Sequence, residues 1–192
     1  MLEAADRKLL AGVVDTLGEY RRDEAVPIFA AALGEDFCRL AAANAFRKMG
    51  ASACLYLLQL ADCPAPSSDA ETESSRRRRR SALRLFVELH QSEDLPEIIR
   101  SLVADADNQM AVLACSLCLP RVSPPEMEKV VARLVDMLDS SDLMLRADVE
   151  DLLTQNYANC RPVIERSLSH AREPTAASLR SVVIKKCAAS GG

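Results

Sequence analysis

The chain has 192 residues, of which 49% are hydrophobic and only 4% aromatic, and it contains no Trp. Ala and Leu dominate, which favours helices over a β-sandwich, and the length suits one ordinary domain. The formal net charge of −4 disfavours extended binding to a polyanion such as nucleic acid.

The sequence shows neither a membrane span nor a secretory signal. No apolar run approaches the roughly 18–20 residues of a membrane-spanning helix, and the start, MLEAADRKLL, lacks the layout of a signal peptide. The seven Cys are scattered, which is typical of reduced thiols. We therefore expect a cytoplasmic protein that does not associate with membranes.

The first predicted element is an amphipathic helix over residues 4–20, which ends near Gly18 and carries an apolar stripe of Leu9, Leu10, Val13, Val14 and Leu17. It resembles the second helix of a two-helix hairpin whose first helix is missing, so the chain is predicted to begin inside a repeat.

Residues 24–50 predict two helices in succession. Pro27 lies in the first turn of the first helix, where its missing N–H costs little, and Leu33 ends that helix. Gly34 breaks the pattern, and Asp36 is predicted to cap the second helix. Gly50 closes the second helix as a glycine after its last turn.

The same unit recurs along the chain. Residues 93–119 and 124–156 repeat it, residues 160–187 repeat it more weakly, and one copy is interrupted over 62–80. The predicted first helices end at Leu33, Leu60, Leu102, Leu138 and Leu168. A period of roughly 30 residues with two helices in each is typical of an α-solenoid.

The details of these units resemble a known repeat family. Residues 25–27 (Ala-Val-Pro), Leu33, Arg39, the Ala42–Ala45–Phe46 pattern and Met49–Gly50 resemble HEAT repeats, most closely the short HEAT-like type of phycobiliprotein lyases. Residues 139–153 match similarly. The resemblance implies an all-α fold, an α-solenoid of about five two-helix repeats over residues 1–192 as a single domain. It also implies a structural ladder of turn Asp and Arg side chains, namely Asp36, Arg39, Arg79, Asp139 and Arg146.

Residues 62–80 interrupt one repeat with the sequence DCPAPSSDAETESSRRRRR. No apolar periodicity survives there, so we predict a disordered loop inserted within the repeat. Its last five residues are Arg76, Arg77, Arg78, Arg79 and Arg80. This run is predicted to be a solvated loop end; an anion or nucleic-acid contact and a nuclear-import signal are the alternatives.

The residues needed for catalysis are sparse. The two histidines, His90 and His170, are far apart and form no metal-ligand pair. Cys115 and Cys118 form a CxxC spacing in the middle of a helical pattern, which indicates buried structural thiols rather than a redox or zinc site. No Gly-rich phosphate loop or G-x-S-x-G motif is present. The sequence therefore predicts a non-catalytic protein without a metal or cofactor.

What remains is a surface for binding. If the second helices line the concave side of a solenoid, their polar positions outside the core form a candidate protein-binding face. These positions are Asn44, Arg47, Lys48, Arg84, Glu88, Gln109, Ser116, Glu150 and Gln155. Their mixed charge favours a protein or peptide partner, so we expect an interaction scaffold or adaptor. The alternatives are an accessory subunit of an enzyme, similar to a bilin lyase, and a nucleic-acid-associated protein that acts through the arginine run.

Overall fold

The structure is a computed structural model that describes residues 4–64, 66–67, 70–92 and 94–190. Its contacts divide the chain into two compact units, Met1–Ser92 and Glu93–Gly192, where the sequence predicts a single domain. Apart from one pair of two-residue strands, the regular elements of the described residues are helices. The chain is therefore all-α, as its composition and periodicity predict.

The described residues of the first unit contain a succession of helices with short connections. They are α1 (Ala4–Glu19), α2 (Val26–Leu33), α3 (Arg39–Met49), α4 (Cys54–Asp62) and α5 (Glu73–Leu89). Between α4 and α5, β1 (Pro66–Ser67) pairs antiparallel with β2 (Ala70–Glu71). The predicted loop also includes residues 65, 68 and 69, which lie outside the described residues.

The core of the first unit lies around α3 and α5. α3 contacts α1, α2 and α5, while α2 and α4 contact α5. Phe29, Phe46 and Phe86 are at most 1% exposed, and the rings of Phe29 and Phe46 meet edge to face with centroids 5.8 Å apart. Large buried side chains on successive helices thus hold the unit together.

The prediction of a disordered loop is wrong for residues 73–80, because these residues form the start of α5. The Thr72 hydroxyl accepts a hydrogen bond from the Ser75 N–H at 3.2 Å and caps the helix. Glu73 in the first turn complements the helix dipole, and arginine is itself a good helix former. A charged segment without apolar residues is therefore helical here, although its composition predicts a loop.

The apolar stripe predicted on α1 is only partly buried. Val14 is 4% exposed, but Leu9 is 69%, Leu10 40% and Val13 46% exposed. The close contact with α3 lies at Gly18, where an added Cβ would come within 2.8 Å of the Ala45 Cβ. α1 therefore meets α3 along a narrower strip than the periodicity predicts.

The turn before α3 also differs from the prediction. The helix begins at Arg39, and neither Asp36 nor the preceding Cys38 caps it through a side-chain hydrogen bond. At the other end of α3, Gly50 has φ of +67°, a conformation that glycine adopts without steric cost. The closing glycine was thus predicted correctly, and the capping aspartate was not.

The described residues of the second unit contain the helices α6 (Glu97–Leu102), α7 (Asn108–Cys118), α8 (Pro124–Met137), α9 (Leu143–Gln155), α10 (Tyr157–His170) and α11 (Thr175–Ser190). The predicted ends of first helices at Leu102 and Leu138 agree with the ends of α6 and α8 to within one residue. Asp107 and Asp142 cap α7 and α9 by accepting hydrogen bonds from backbone N–H groups two residues later.

Helices of the second unit contact each other in a regular order. Every helix contacts the next one along the chain, α6 with α7, α7 with α8, α8 with α9, α9 with α10, and α10 with α11. Next-but-one helices also meet, α7 with α9, α9 with α11, and α8 with α10. The fully buried side chains between them include Ile99, Met110, Leu134, Leu138 and Leu153. In the first unit, α2 contacts α3 and α4 contacts α5.

Candidate functional site

A groove in the first unit gathers several polar residues of the predicted binding face. We call it the α3/α5 groove; its volume is about 360 Å³, and its lining comprises Asp36, Arg39, Leu40, Ala43, Arg47, Ser81, Arg84, Leu85 and Glu88. Three predicted residues, Arg47, Arg84 and Glu88, line it directly. A fourth, Asn44, lies beside it and accepts a hydrogen bond from Arg47 at 3.1 Å.

A two-point ion pair joins the two helices at one end of this groove. The Nε and Nη2 atoms of Arg47 donate to the two carboxylate oxygens of Glu88 at 2.8 and 3.0 Å. The hydrogen bond from Arg47 lowers the pKa of Glu88, and the same bond raises the pKa of Arg47. Both side chains are more than 40% exposed, so the pair contributes at most about 1 kcal/mol. Its main effect is to fix the position of two charges on the groove wall.

Asp36 lies at the opposite end of the groove and binds two arginines. One carboxylate oxygen lies 2.9 Å from Nη1 of Arg39, and the other lies 2.8 Å from Nη1 of Arg77 on α5. The sequence predicts that Asp36 and Arg39 belong to a ladder together with Arg79, but the second arginine bound by Asp36 is Arg77. Among the described residues, the other two predicted members, Asp139 and Arg146, form no ion pair.

Arg79 is buried elsewhere, with a side chain only 5% exposed. Its Nε donates to the Ala61 carbonyl at 2.7 Å, and its Nη1 lies 2.9 Å from the Glu71 carboxylate. The Glu71 carboxylate also accepts a hydrogen bond from the Ser75 hydroxyl at 2.5 Å. Arg79 therefore ties the end of α4 and strand β2 to the first turns of α5.

Other members of the arginine run also have partners within the first unit. Arg78 donates to the Cys63 carbonyl at 2.8 Å, while Arg76 and Arg77 lie 3.8 and 3.2 Å from the Glu73 carboxylate. Arg80 has contacts of its own as well. Cations beside the last carbonyls of α4 complement the negative end of its dipole. The contacts of the run thus favour a structural role over a free basic patch.

Lys48 was predicted to belong to the binding face, but it points to a different helix. Its ammonium lies 2.5 Å from the Glu19 carboxylate and 3.5 Å from that of Asp15, both on α1. The hydrogen bond that Lys48 donates to Glu19 is the main cause that raises the pKa of Lys48. Lys48 therefore joins α1 to α3 and takes no part in the α3/α5 groove.

The second unit has a comparable but shallower groove between α9 and α11. We call it the α9/α11 groove; its volume is about 340 Å³, and its lining comprises Leu143, Arg146, Ala147, Glu150, Pro174, Ala177 and Ser178. Of the predicted residues, Glu150 lines it, and its carboxylate lies 3.4 Å from the Lys185 ammonium of α11. Arg146, predicted for the ladder, lines this groove instead.

The remaining predicted residues are not brought together with these. Gln109 donates its backbone N–H to the capping Asp107, and the Ser116 hydroxyl donates to the Leu113 carbonyl within its own helix. Gln155, at the end of α9, is exposed and lies outside the lining of the α9/α11 groove.

Exposed leucines at the groove edges were missed by the sequence reasoning. Leu40 lines the α3/α5 groove and is 71% exposed, and Leu143 lines the α9/α11 groove and is 67% exposed. Both lie in the first turn of a second helix. The signal in the sequence is an apolar residue outside the core spacing, which marks a candidate surface contact.

Three of the thiols that the structure describes are buried and poorly reactive. Burial raises the pKa of the Cys115 thiol to about 12 and those of Cys118 and Cys160 to about 11, so these thiols stay protonated at neutral pH. Within the described residues, no three His, Cys, Asp or Glu side chains are placed to hold a metal ion. The side chain of Cys187 lies outside the described ones.

Comparison of the chain with protein-family models, curated proteins and solved structures found no match. In the described part of the chain, no helix has both the length and the apolar character needed to cross a bilayer. Any assignment of function therefore depends on the grooves and contacts themselves.

Proposed function

We propose that this chain is a non-catalytic interaction scaffold, an α-solenoid of about five HEAT-like two-helix repeats whose second helices bind a protein or peptide. The contacts of α2 with α3 and of α4 with α5 in the first unit, and the contacts between next-but-one helices in the second unit, support the repeat architecture. So does Asp36, which binds one arginine of its own hairpin and one of the next.

The observation that carries the proposal is the composition of the α3/α5 groove. It combines a highly exposed Leu40 with the apolar Leu85 and with charges of both signs on its walls. Arg84 forms no ion pair with any described residue, so its guanidinium is available to a partner carboxylate. A shallow groove of this size fits one or two side chains of a peptide or helix rather than a folded domain.

The α9/α11 groove extends the same interpretation to the second unit, since Leu143 and Arg146 line it. By contrast, the partners of Arg76 to Arg79 within the first unit argue against the free basic patch on which the nucleic-acid alternative depends.

Quantitative affinity purification with mass spectrometry tests this proposal. The double variant Leu40→Asp with Arg84→Glu replaces an apolar and a cationic member of the groove. Leu55→Asp with Arg22→Glu makes the same replacements at exposed positions outside it. We expect a protein that copurifies with the unmodified chain to be lost from the groove variant and kept by the control. Equal recovery from both variants, each shown to be helical, would place the binding surface elsewhere.

A further inference from the structure

A pocket in the second unit differs in character from both grooves. We call it the α6/α8 pocket; its volume is about 350 Å³, and its lining comprises Arg100, Val103, Ala104, Cys118, Val122, Glu126, Lys129, Val130 and Arg133. Val130 and Cys118 are 5% and 1% exposed, and Val103 and Val122 are half-buried. The interior of the pocket is therefore largely hydrocarbon, with the thiol of Cys118 kept neutral by its burial.

Cations surround this apolar interior. Three of the lining side chains are cationic and one, Glu126, is a carboxylate. The second unit as a whole contains 11 Lys and Arg against 15 Asp and Glu. A lining with an excess of positive charge is thus a local concentration within an acidic unit, and it raises the local concentration of anions.

The only carboxylate of the lining is already bound by neighbouring donors. Glu126 Oε2 accepts hydrogen bonds from the Ser123 N–H at 3.1 Å and from the Ser123 hydroxyl at 2.7 Å, and Oε1 lies 3.5 Å from Arg100 Nη1. The hydrogen bonds from Ser123 lower the pKa of Glu126. Its charge is thus compensated at the N-terminus of α8, so it competes little with an incoming carboxylate for the other cations of the lining.

Two of the cations retain donors for a ligand. Arg133 is held in place through Nη2, which donates to the Asp105 carbonyl at 3.1 Å and to the Asn108 side-chain oxygen at 3.0 Å. Its other nitrogens make no further hydrogen bond to the described residues. The charge of Lys129 contributes to the lowered pKa of Glu126, but its ammonium donates no hydrogen bond and forms no ion pair with the described residues. A fixed guanidinium beside an ammonium that retains its donors is a suitable arrangement for a carboxylate.

We propose that the α6/α8 pocket binds a small amphipathic carboxylate, with its apolar tail against Val103, Val122 and Val130 and its head group at Lys129 and Arg133. The volume lies at the lower end of the range for small-molecule sites. A neutral ligand of the same shape would lack the charged contacts, and a cation would be repelled. This site is independent of the protein-binding grooves.

The test is a titration of the intact chain, labelled with ¹³C at its valine methyl groups, with octanoate, 1-octanol and octylammonium. We expect saturable shifts of the Val103, Val122 and Val130 methyl signals with octanoate, binding at least tenfold weaker with 1-octanol, and none with octylammonium. Equal binding of octanoate and 1-octanol would overturn the proposal, and so would octanoate shifts confined to other valines.

Two variants and a control assign the effect to this pocket. Lys129→Gln should weaken octanoate about five- to tenfold through the loss of a charged contact. Ala104→Leu should abolish measurable binding by filling the exposed edge of the pocket. Lys185→Gln removes a lysine from α11, outside the lining, and should leave affinity unchanged. If Lys129→Gln and Ala104→Leu both bind octanoate as tightly as the unmodified chain while their circular dichroism stays helical, the proposal is wrong.

Discussion

Burial distinguishes one arginine from its neighbours in the run at the start of α5. Arg79 bridges the Ala61 carbonyl and the Glu71 carboxylate with a side chain only 5% exposed. Arg79→Ala removes the guanidinium, so the half-buried Glu71 carboxylate and the Ala61 carbonyl lose their hydrogen-bond donor. We expect the free energy of unfolding to fall by about 2–4 kcal/mol, measured by urea denaturation.

Arg76→Ala is the matched control for that experiment. Its side chain is 40% exposed and 3.8 Å from Glu73 on the same helix, so the loss should stay within about 0.5 kcal/mol. Arg79→Lys should recover only part of the loss, because an ammonium cannot reach both partners with the fork of a guanidinium. Equal effects of the Arg76 and Arg79 variants would contradict the structural role given to Arg79.

The cysteines differ in exposure and therefore in reactivity. Cys63 is exposed, whereas Cys115, Cys118 and Cys160 are buried with thiol pKa values raised to about 11–12. In a Cys187→Ser background at pH 8, iodoacetamide should label Cys63 about a hundredfold or more faster than those three. Peptide mass spectrometry measures the rates, and comparable labelling of all four thiols would show that the second unit is open in solution.

The same burial gives stability a pH dependence of known sign. The folded pKa values of Cys115, Cys118 and Cys160 lie above the ordinary thiol value of 9.0. The protonated thiols therefore contribute fully to the free energy of unfolding below pH 9. This contribution is lost as pH rises towards 11–12, because above pH 9 unfolding releases their protons. Urea denaturation at pH 8 and pH 10.5 should show the midpoint falling at the higher pH.

The differences in burial among these arginines could not be predicted from the sequence. Five identical arginines look alike in sequence, and the partners of Arg79 come from positions 8 and 18 residues away. Lys48 was predicted for the binding face for the same reason, since nothing local indicates its contacts with Asp15 and Glu19 on α1. Side-chain partners of this kind are set by tertiary packing rather than by local pattern.

At the scale of an element, α1 contains two glycines whose replacement by alanine should have opposite effects on stability. An added Cβ at Gly12 meets nothing within 4 Å, whereas one at Gly18 comes within 2.8 Å of the Ala45 Cβ. Gly12→Ala should raise the free energy of unfolding by about 0.5–1 kcal/mol through helix propensity. Gly18→Ala should lower it by about 1–3 kcal/mol through overpacking against α3. Thermal unfolding of both variants tests the contact, and a stabilising Gly18→Ala would contradict it.

Most helix boundaries could be predicted from the sequence because they depend on local chemistry. Pro27 early in α2, Leu102 at the end of α6 and Gly50 after α3 each mark a boundary that the structure has. The start of α5 was missed because the signal there is a cap, Thr72 with Glu73, in a segment rich in serine. Composition outweighed capping in that prediction, and the cap was the better guide.

At the scale of the whole molecule, we predict that each of the two units folds on its own. Each has its own buried side chains, among them Phe46 in Met1–Ser92 and Leu134 in Glu93–Gly192. Fragments with these bounds should each show helical circular dichroism and a cooperative thermal transition. A fragment without a transition would favour the single domain that the sequence predicts.

The candidate binding face was predictable only in part. Arg47, Arg84 and Glu88 could be named from their helical phase, since they lie off the core stripe of α3 and α5. The groove between them could not, because its depth depends on how closely two helices approach. Leu40 was missed because an apolar residue is ordinarily assigned to the core.

The central claim is that the second helices bind a partner, and amide hydrogen exchange of the chain with its copurified protein tests it most directly. We predict slower exchange in α3 and α5 around Leu40 and Arg84, with little change in α2 and α4. Protection confined to α2, α4 or the segment between α4 and α5 would contradict the claim and move the binding site to the other face of the first unit.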